Sequence, residues 1–138
     1  MEITTDEFTL VHGSPREPAW EYLISAESAK ENFPGFQTSF CLVGHSHIPL
    51  VFEEERRGVK FVYPVPQIIK LDKERLIINP GSVGQSRDGD WRASYMIFDS
   101  REKRIELRRL SYNVTITQEK MRKAGLPSHL IRRLSRGQ

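Results

Sequence analysis

Short apolar runs separated by turn residues dominate the first two thirds of the chain. Residues 7–12 carry Phe8, Leu10 and Val11, which predicts a strand ending at His12, before the loop Gly13-Ser14-Pro15-Arg16. The continuous run Phe40-Cys41-Leu42-Val43 predicts a buried strand over 39–44, and Ile77-Ile78 and Ile97-Phe98 suggest strands buried on both faces or packed in a sandwich. Val51–Glu55 and Val59–Tyr63 flank Arg57-Gly58 and predict a hairpin. Two more short strands are expected over 67–71 and 75–79, followed by a turn cluster, Asn79-Pro80-Gly81-Ser82-Val83-Gly84. Ala93–Phe98 and Arg104–Leu110 surround Asp99-Ser100-Arg101, which predicts a second hairpin.

Helical spacing is rarer. Pro18 suits a first helical turn and predicts a helix from residue 18 to about Lys30, broken by Asn32-Phe33-Pro34-Gly35. Thr117 is the expected cap of a helix over 118–124, which Gly125 and Pro127 end. A last helix over 128–134 gathers Leu130, Ile131 and Leu134 on one side. Together these elements predict an α+β fold, a strand-rich sheet sandwich with flanking helices. The 138 residues are read as one domain, with 111–138 as a basic helical tail.

Composition narrows the picture. Hydrophobic content of 38% with 28% charged residues describes a globular chain, and no apolar run is long enough to span a bilayer. The acidic start, Glu2 to Glu7, lacks a signal-peptide pattern. The single cysteine, Cys41, permits no intrachain disulfide and is read as inert core, so a reducing cytoplasm is expected. The net charge of +3 hides an asymmetry, because Arg101–Gln138 holds 11 basic and 3 acidic residues. Such a tail is ordinarily a solvated helix face. With Tyr112 as its one aromatic residue it offers little for base stacking, and nucleic-acid binding is the alternative use.

The chemistry lies at the strand ends. Gly44-His45-Ser46-His47 follows one apolar strand and His12-Gly13 follows another. Imidazole is the commonest neutral ligand for first-row metals, and glycine lets another group approach the backbone. His45 and His47 point the same way only if the segment stays extended past Ser46. Arg16 and Arg87 lie on loops where a guanidinium can clamp a phosphate. Ser14 either donates to a phosphate oxygen or caps its own turn, the latter being favoured. The Asn79 turn is read as structural, Trp20 and Trp91 as packing residues, and His129 as solvent-facing.

Three motifs in order, His12-Gly13-Ser14, Gly44-His45-Ser46-His47 and Asn79-Pro80-Gly81-Ser82-Val83-Gly84-Gln85, resemble the C-terminal half of calcineurin-like metallophosphoesterases. The similarity runs from about Phe8 to Leu110. It implies two sheets packed face to face with helices outside, a hydrolase acting through two divalent transition ions (Mn, Fe, Zn, Ni or Co), and a phosphorylated small molecule or nucleotide as substrate. It also implies that His12 and His45 share one ion and that His47 binds its neighbour. The family's Asp-x-His, bridging Gly-Asp and Gly-Asn-His motifs have no counterpart here, and Gly89-Asp90 falls out of order. The chain therefore reads as the histidine portion of such a site, with no catalytic residue of its own and with one ion or none. Three imidazoles can hold one Zn²⁺ but do not neutralise two dications. A companion N-terminal half and self-association through an exposed sheet edge are the expected partners. A non-catalytic metal-binding or nucleic-acid-binding module is the alternative.

Overall fold

The computed structural model describes residues 2–65, 67–72 and 75–138. Among them run the strands β1 (Glu2–Thr4), β2 (Phe8–Val11), β3 (Phe40–Leu42), β4 (Pro49–Glu55), β5 (Gly58–Val62), β6 (Ile68–Lys70), β7 (Leu76–Pro80), β8 (Ala93–Asp99) and β9 (Arg104–Leu110). The helices are α1 (Ala26–Asn32), α2 (Val114–Lys123) and α3 (Ser128–Leu134). Six strands form one sheet in the order β1-β2-β3-β7-β4-β5, and three form another in the order β6-β9-β8. The α+β sandwich expected from the apolar runs is the observed class.

Alternation along the central strands sorts the core into two layers. Cys41, Leu50, Phe52 and Ile77 face α1 and join Leu23, Ala29, Phe33 and Phe36. Phe40, Val51, Leu76 and Ile78 face the smaller sheet and join Ile69, Leu71 and Ile105. Ile77 and Ile78 are thus both fully buried, on opposite faces of one strand, whereas Ile97 and Phe98, on the edge strand β8 of the smaller sheet, are both exposed and not buried as their apolar pairing suggested. Each such side chain contributes about 1.5–3 kcal/mol relative to exposure.

Strand direction decides where the connecting loops gather. β2, β3 and β7 are mutually parallel, with Thr9 beside Cys41 and Cys41 beside Ile77. Their C-terminal ends therefore meet at one edge of the sheet. β4 returns antiparallel to β7, placing Leu50 opposite Asn79.

Three local expectations change. The helix expected from residue 18 begins at Ala26, where Ser25 and Ser28 form a reciprocal cap. Residues 18–25 are held otherwise. The Gly13 amide donates to the Pro18 carbonyl at 2.7 Å, and Leu23 is pulled into the core. The helix expected from 118 begins at Val114, because the Asn113 side chain accepts from the Ile116 amide and caps it earlier than Thr117. β1 adds an exposed edge strand, paired antiparallel to β2, that apolar periodicity does not reveal. No helix of the described residues is long and apolar enough to cross a membrane.

Candidate metal centre

The shared edge of β2, β3 and β7 collects the histidine motifs and the Asn79 turn. His12 follows β2 directly, Gly44–His47 follow β3, and Asn79 and Pro80 end β7. Groups bound by parallel sheets sit outside the carboxyl ends of the strands, as here.

His12 Nε2 and His45 Nδ1 are hydrogen-bonded at 3.0 Å, one ring nitrogen donating to the other, with the rings at 70°. Metal–nitrogen bonds of about 2.0–2.1 Å put neighbouring ligand nitrogens about 3 Å apart, so this pair matches one edge of a single ion's coordination shell. Gly44 makes the approach possible. Its amide donates to the His12 carbonyl at 2.9 Å, and a Cβ there would fall 3.3 Å from that oxygen.

The histidine loop is not extended. His45 and His47 both adopt left-handed backbone, with φ of 57° and 60°. Strand alternation therefore does not set the imidazole directions. A non-glycine residue in this region costs on the order of 1–2 kcal/mol and persists only when its surroundings enforce it. Asn79, 1% exposed, does the enforcing. Its Nδ2 donates to the Gly44 carbonyl at 2.6 Å and to Ser46 Oγ at 2.9 Å, while its Oδ1 accepts from the Gly81 amide at 2.9 Å. The turn reading of Asn79 misses this grip on the histidine loop. The available signal was a polar residue ending an otherwise apolar strand.

His47 Nδ1 lies 2.8 Å from the Gln85 carbonyl, which only accepts, so Nδ1 carries the proton and Nε2 keeps its lone pair. Burial lowers the His47 pKa, more than the Gln85 contact raises it. Burial also lowers that of His45, with the nearby charges of His12 and Arg87 adding to the effect. Both imidazoles thus favour the neutral, ligating form. The donor set suits one side of an ion. Among the described residues no group of three or more His, Cys, Asp or Glu is arranged to hold a metal, and no carboxylate joins the His12–His45 pair.

The other candidate residues divide. Arg87 stands at this edge, its amide donating to the His47 carbonyl at 3.2 Å and its Nη1 to Tyr22 Oη at 3.4 Å. The guanidinium of Arg16 is ion-paired with Glu21 and Glu31. Ser14 is fully buried, donating to Glu21 and accepting from the Glu17 amide at 3.0 Å, the turn-capping role. His129 is exposed in α3. Trp20, expected in the packing, is 77% exposed beside His45. Tyr22, which the strand and helix patterns pass over, packs its ring 4.2 Å from that of His45.

Residues 1–103 match the calcineurin-like phosphoesterase superfamily domain. The chain is 40% identical over 133 residues to the uncharacterized protein MJ0912 of Methanocaldococcus jannaschii, covering 91% of this chain and 50% of that protein. A crystal structure of a metallophosphoesterase from Sphaerobacter thermophilus superposes with a TM-score of 0.94 at 44% identity, over 99% of this chain and 58% of that one. The hypothetical protein PH1004 of Pyrococcus horikoshii OT3 shares the fold, with a TM-score of 0.70 at 18% identity over 96% of this chain and 47% of that one. The chain thus spans about half the length of the curated relative it matches. On this combination of matched domain and strand-end histidines, the chain belongs to the calcineurin-like phosphoesterase superfamily.

Proposed function

We propose that the chain supplies the histidine side of a metal-dependent phosphoesterase centre, in which water cleaves a phosphomonoester to an alcohol and phosphate, or a phosphodiester to an alcohol and a phosphomonoester. The single observation that carries this reading is the 3.0 Å separation of His12 Nε2 and His45 Nδ1 at the convergent ends of parallel strands. His12 and His45 would hold one ion, from the set Mn, Fe, Zn, Ni and Co. His47, oriented by Gln85, would offer Nε2 to a second ion once the companion segment supplied its carboxylates. A bound transition ion supplies Lewis acidity and a hydroxide near neutral pH.

The rest is work for this chain's own residues. Asn79 keeps the His45–His47 loop in its left-handed form, so both rings are placed before a ligand arrives. Arg87 brings a fixed positive charge to the same edge, where it binds phosphate oxygens. Carboxylates come from a companion segment. Its seat is supported by β8, an edge strand of the smaller sheet among the described residues, and by a cavity of about 270 Å³. Phe8, Leu42, Met96 and Phe98 line that cavity between the two sheets. A second copy of the chain is the other occupant of such an edge. Cytoplasmic residence accords with a lone buried cysteine.

Calorimetric titration of the purified chain with Mn²⁺ and Zn²⁺ tests the reading, followed by a bis-p-nitrophenyl phosphate assay with and without metal. Binding of an ion that falls at least tenfold in His45→Ala and in His12→Ala is expected. No binding, or binding indifferent to both substitutions, ends it. Turnover is expected once the carboxylate-bearing segment is supplied.

A further inference from the structure

Beside the histidine edge lies an open trough of about 530 Å³, lined by Ile24, Ile48, Leu50, Phe61, Tyr63, Arg87 and Asp88. That volume is in the range of small-molecule sites. Its apolar rim is exposed, with Ile24 51%, Phe61 43% and Tyr63 52% accessible. A free apolar rim costs solubility and calls for an occupant.

The trough has a built wall. Phe52 on β4 is fully buried and stands opposite Phe61 on β5. Their rings stack at 5.1 Å and 18°. Phe61 in turn stacks on Tyr63 at 6.1 Å and 9°. Three nearly parallel rings therefore run from the fully buried Phe52 to Tyr63, which is half exposed. An exposed aromatic ring accepts another planar ring in offset stacking. Arg87 also lines the trough, beside Asp88, whose carboxylate is paired with Arg109. Arg87 donates to Tyr22 Oη at 3.4 Å, and the Tyr22 ring rests on His45, so the trough's cation is linked to the histidine edge through Tyr22.

We propose that this trough is the base subsite of the phosphoester centre, so that the substrate class is a nucleotide: the base stacks on Tyr63 against Ile24, and Arg87 takes the phosphate toward His45. The phosphate end rests on the phosphoesterase reading, whereas the base end rests on the trough alone. Charge complementarity selects this occupant. The cation at one end suits a phosphate, and the aromatic face at the other suits a planar base.

Binding of AMP and of ribose 5-phosphate to the full chain, each measured by calorimetry, separates the two ends. AMP is expected to bind at least roughly tenfold more tightly, the gain stacking gives. Tyr63→Ala is expected to abolish that preference while leaving ribose 5-phosphate affinity unchanged, and Tyr63→Phe to retain it. Arg87→Ala is expected to weaken both ligands alike. Equal affinities, or a preference that survives Tyr63→Ala, overturn the proposal. So does a dimer that Tyr63→Ala dissociates while AMP fails to bind, which would give the patch to a second copy. Metal-dependent hydrolysis without base preference removes the subsite and leaves the phosphoesterase. Base preference in a chain that binds no metal keeps the subsite and removes the phosphoesterase.

Discussion

Asn79 Nδ2 donates to the Gly44 carbonyl at 2.6 Å, tying the end of one central strand to the loop that carries both histidines of the neighbouring one. The bond is part-buried, and the same side chain also serves Ser46, in a buried bond, and Gly81. Asn79→Ala leaves the Gly81 amide without its partner and takes one of two donors from the Gly44 carbonyl, which keeps the Ser46 amide at 2.6 Å. A loss of about 1–2 kcal/mol is expected from the one part-buried group left without a partner and the bonds removed. Urea denaturation measures it, and an unchanged midpoint would show that the loop stands without this residue.

Arg75 is a second organiser, with its side chain half-buried. It donates to the Phe33 carbonyl at 3.0 Å, to the Phe36 carbonyl at 2.6 Å and to Glu54 at 3.0 Å, with its guanidinium 4.4 Å over the Phe36 ring. Lysine keeps the charge but loses the planar fork. Arg75→Lys is therefore expected to lose most of the roughly 2 kcal/mol that Arg75→Ala removes. Full rescue by lysine would mean that charge alone matters.

Gly137 couples the tail to the site. Its φ is +65°, and a Cβ would meet the Asp90 amide and the Gly89 carbonyl carbon at 2.7 Å. Its carbonyl accepts from the Gly89 amide at 3.0 Å. The loop it grips also carries Arg87 and the Gln85 carbonyl that orients His47. Gly137→Val is expected to speed hydrogen exchange over residues 84–90 while exchange in β3 and β7 stays slow. Uniform change, or none, would disconnect the tail from the loop.

Acid should weaken the fold through His47. Burial lowers its pKa below the reference value of 6.5, so below about that pH the unfolded chain binds a proton the folded chain resists. Stability therefore declines as pH falls through 6.5 toward the folded value. The urea midpoint of wild type is expected to drop between pH 7.5 and 5.5, and to drop less in His47→Gln. Parallel declines in both proteins would remove His47 as the cause.

Cys41 is fully buried in the core under α1, and burial pushes its thiol up to about 12. Reaction needs thiolate and access, and here both are withheld. A disulfide reagent at pH 8 is expected to label Cys41 only as fast as the chain unfolds. Rapid labelling of the native protein would contradict the core assignment.

Strand positions were readable because apolar residues recur with period two or run unbroken, as in Phe40–Val43 and Leu76–Ile78. The two hairpins were readable for the same reason, with Gly58 and the Asp99 turn as punctuation. The segment 18–25 was not. Its Pro and Ala suit a helix, yet the buried Leu23 and the Glu21 contacts to Ser14, Arg16 and Asn32 hold it as a loop. That choice depends on partners distant in sequence, which local propensity does not carry. The predicted strands over 67–71 and 75–79 exist, but they lie in different sheets, and nothing local distinguishes them.

By itself the sequence determined that strands deliver His12, His45 and His47 at their ends, because burial pattern and glycine placement are local properties of the chain. Only the tertiary structure decided that β2, β3 and β7 run parallel, which brings His12 within 3.0 Å of His45. It also decided that Gln85, not a shared ion-sized cluster, orients His47, and that Phe61, Tyr63 and Arg87 line one groove, with Tyr22 between Arg87 and His45. Proximity between residues tens of positions apart follows from strand order, and strand order is set by which apolar faces cover one another.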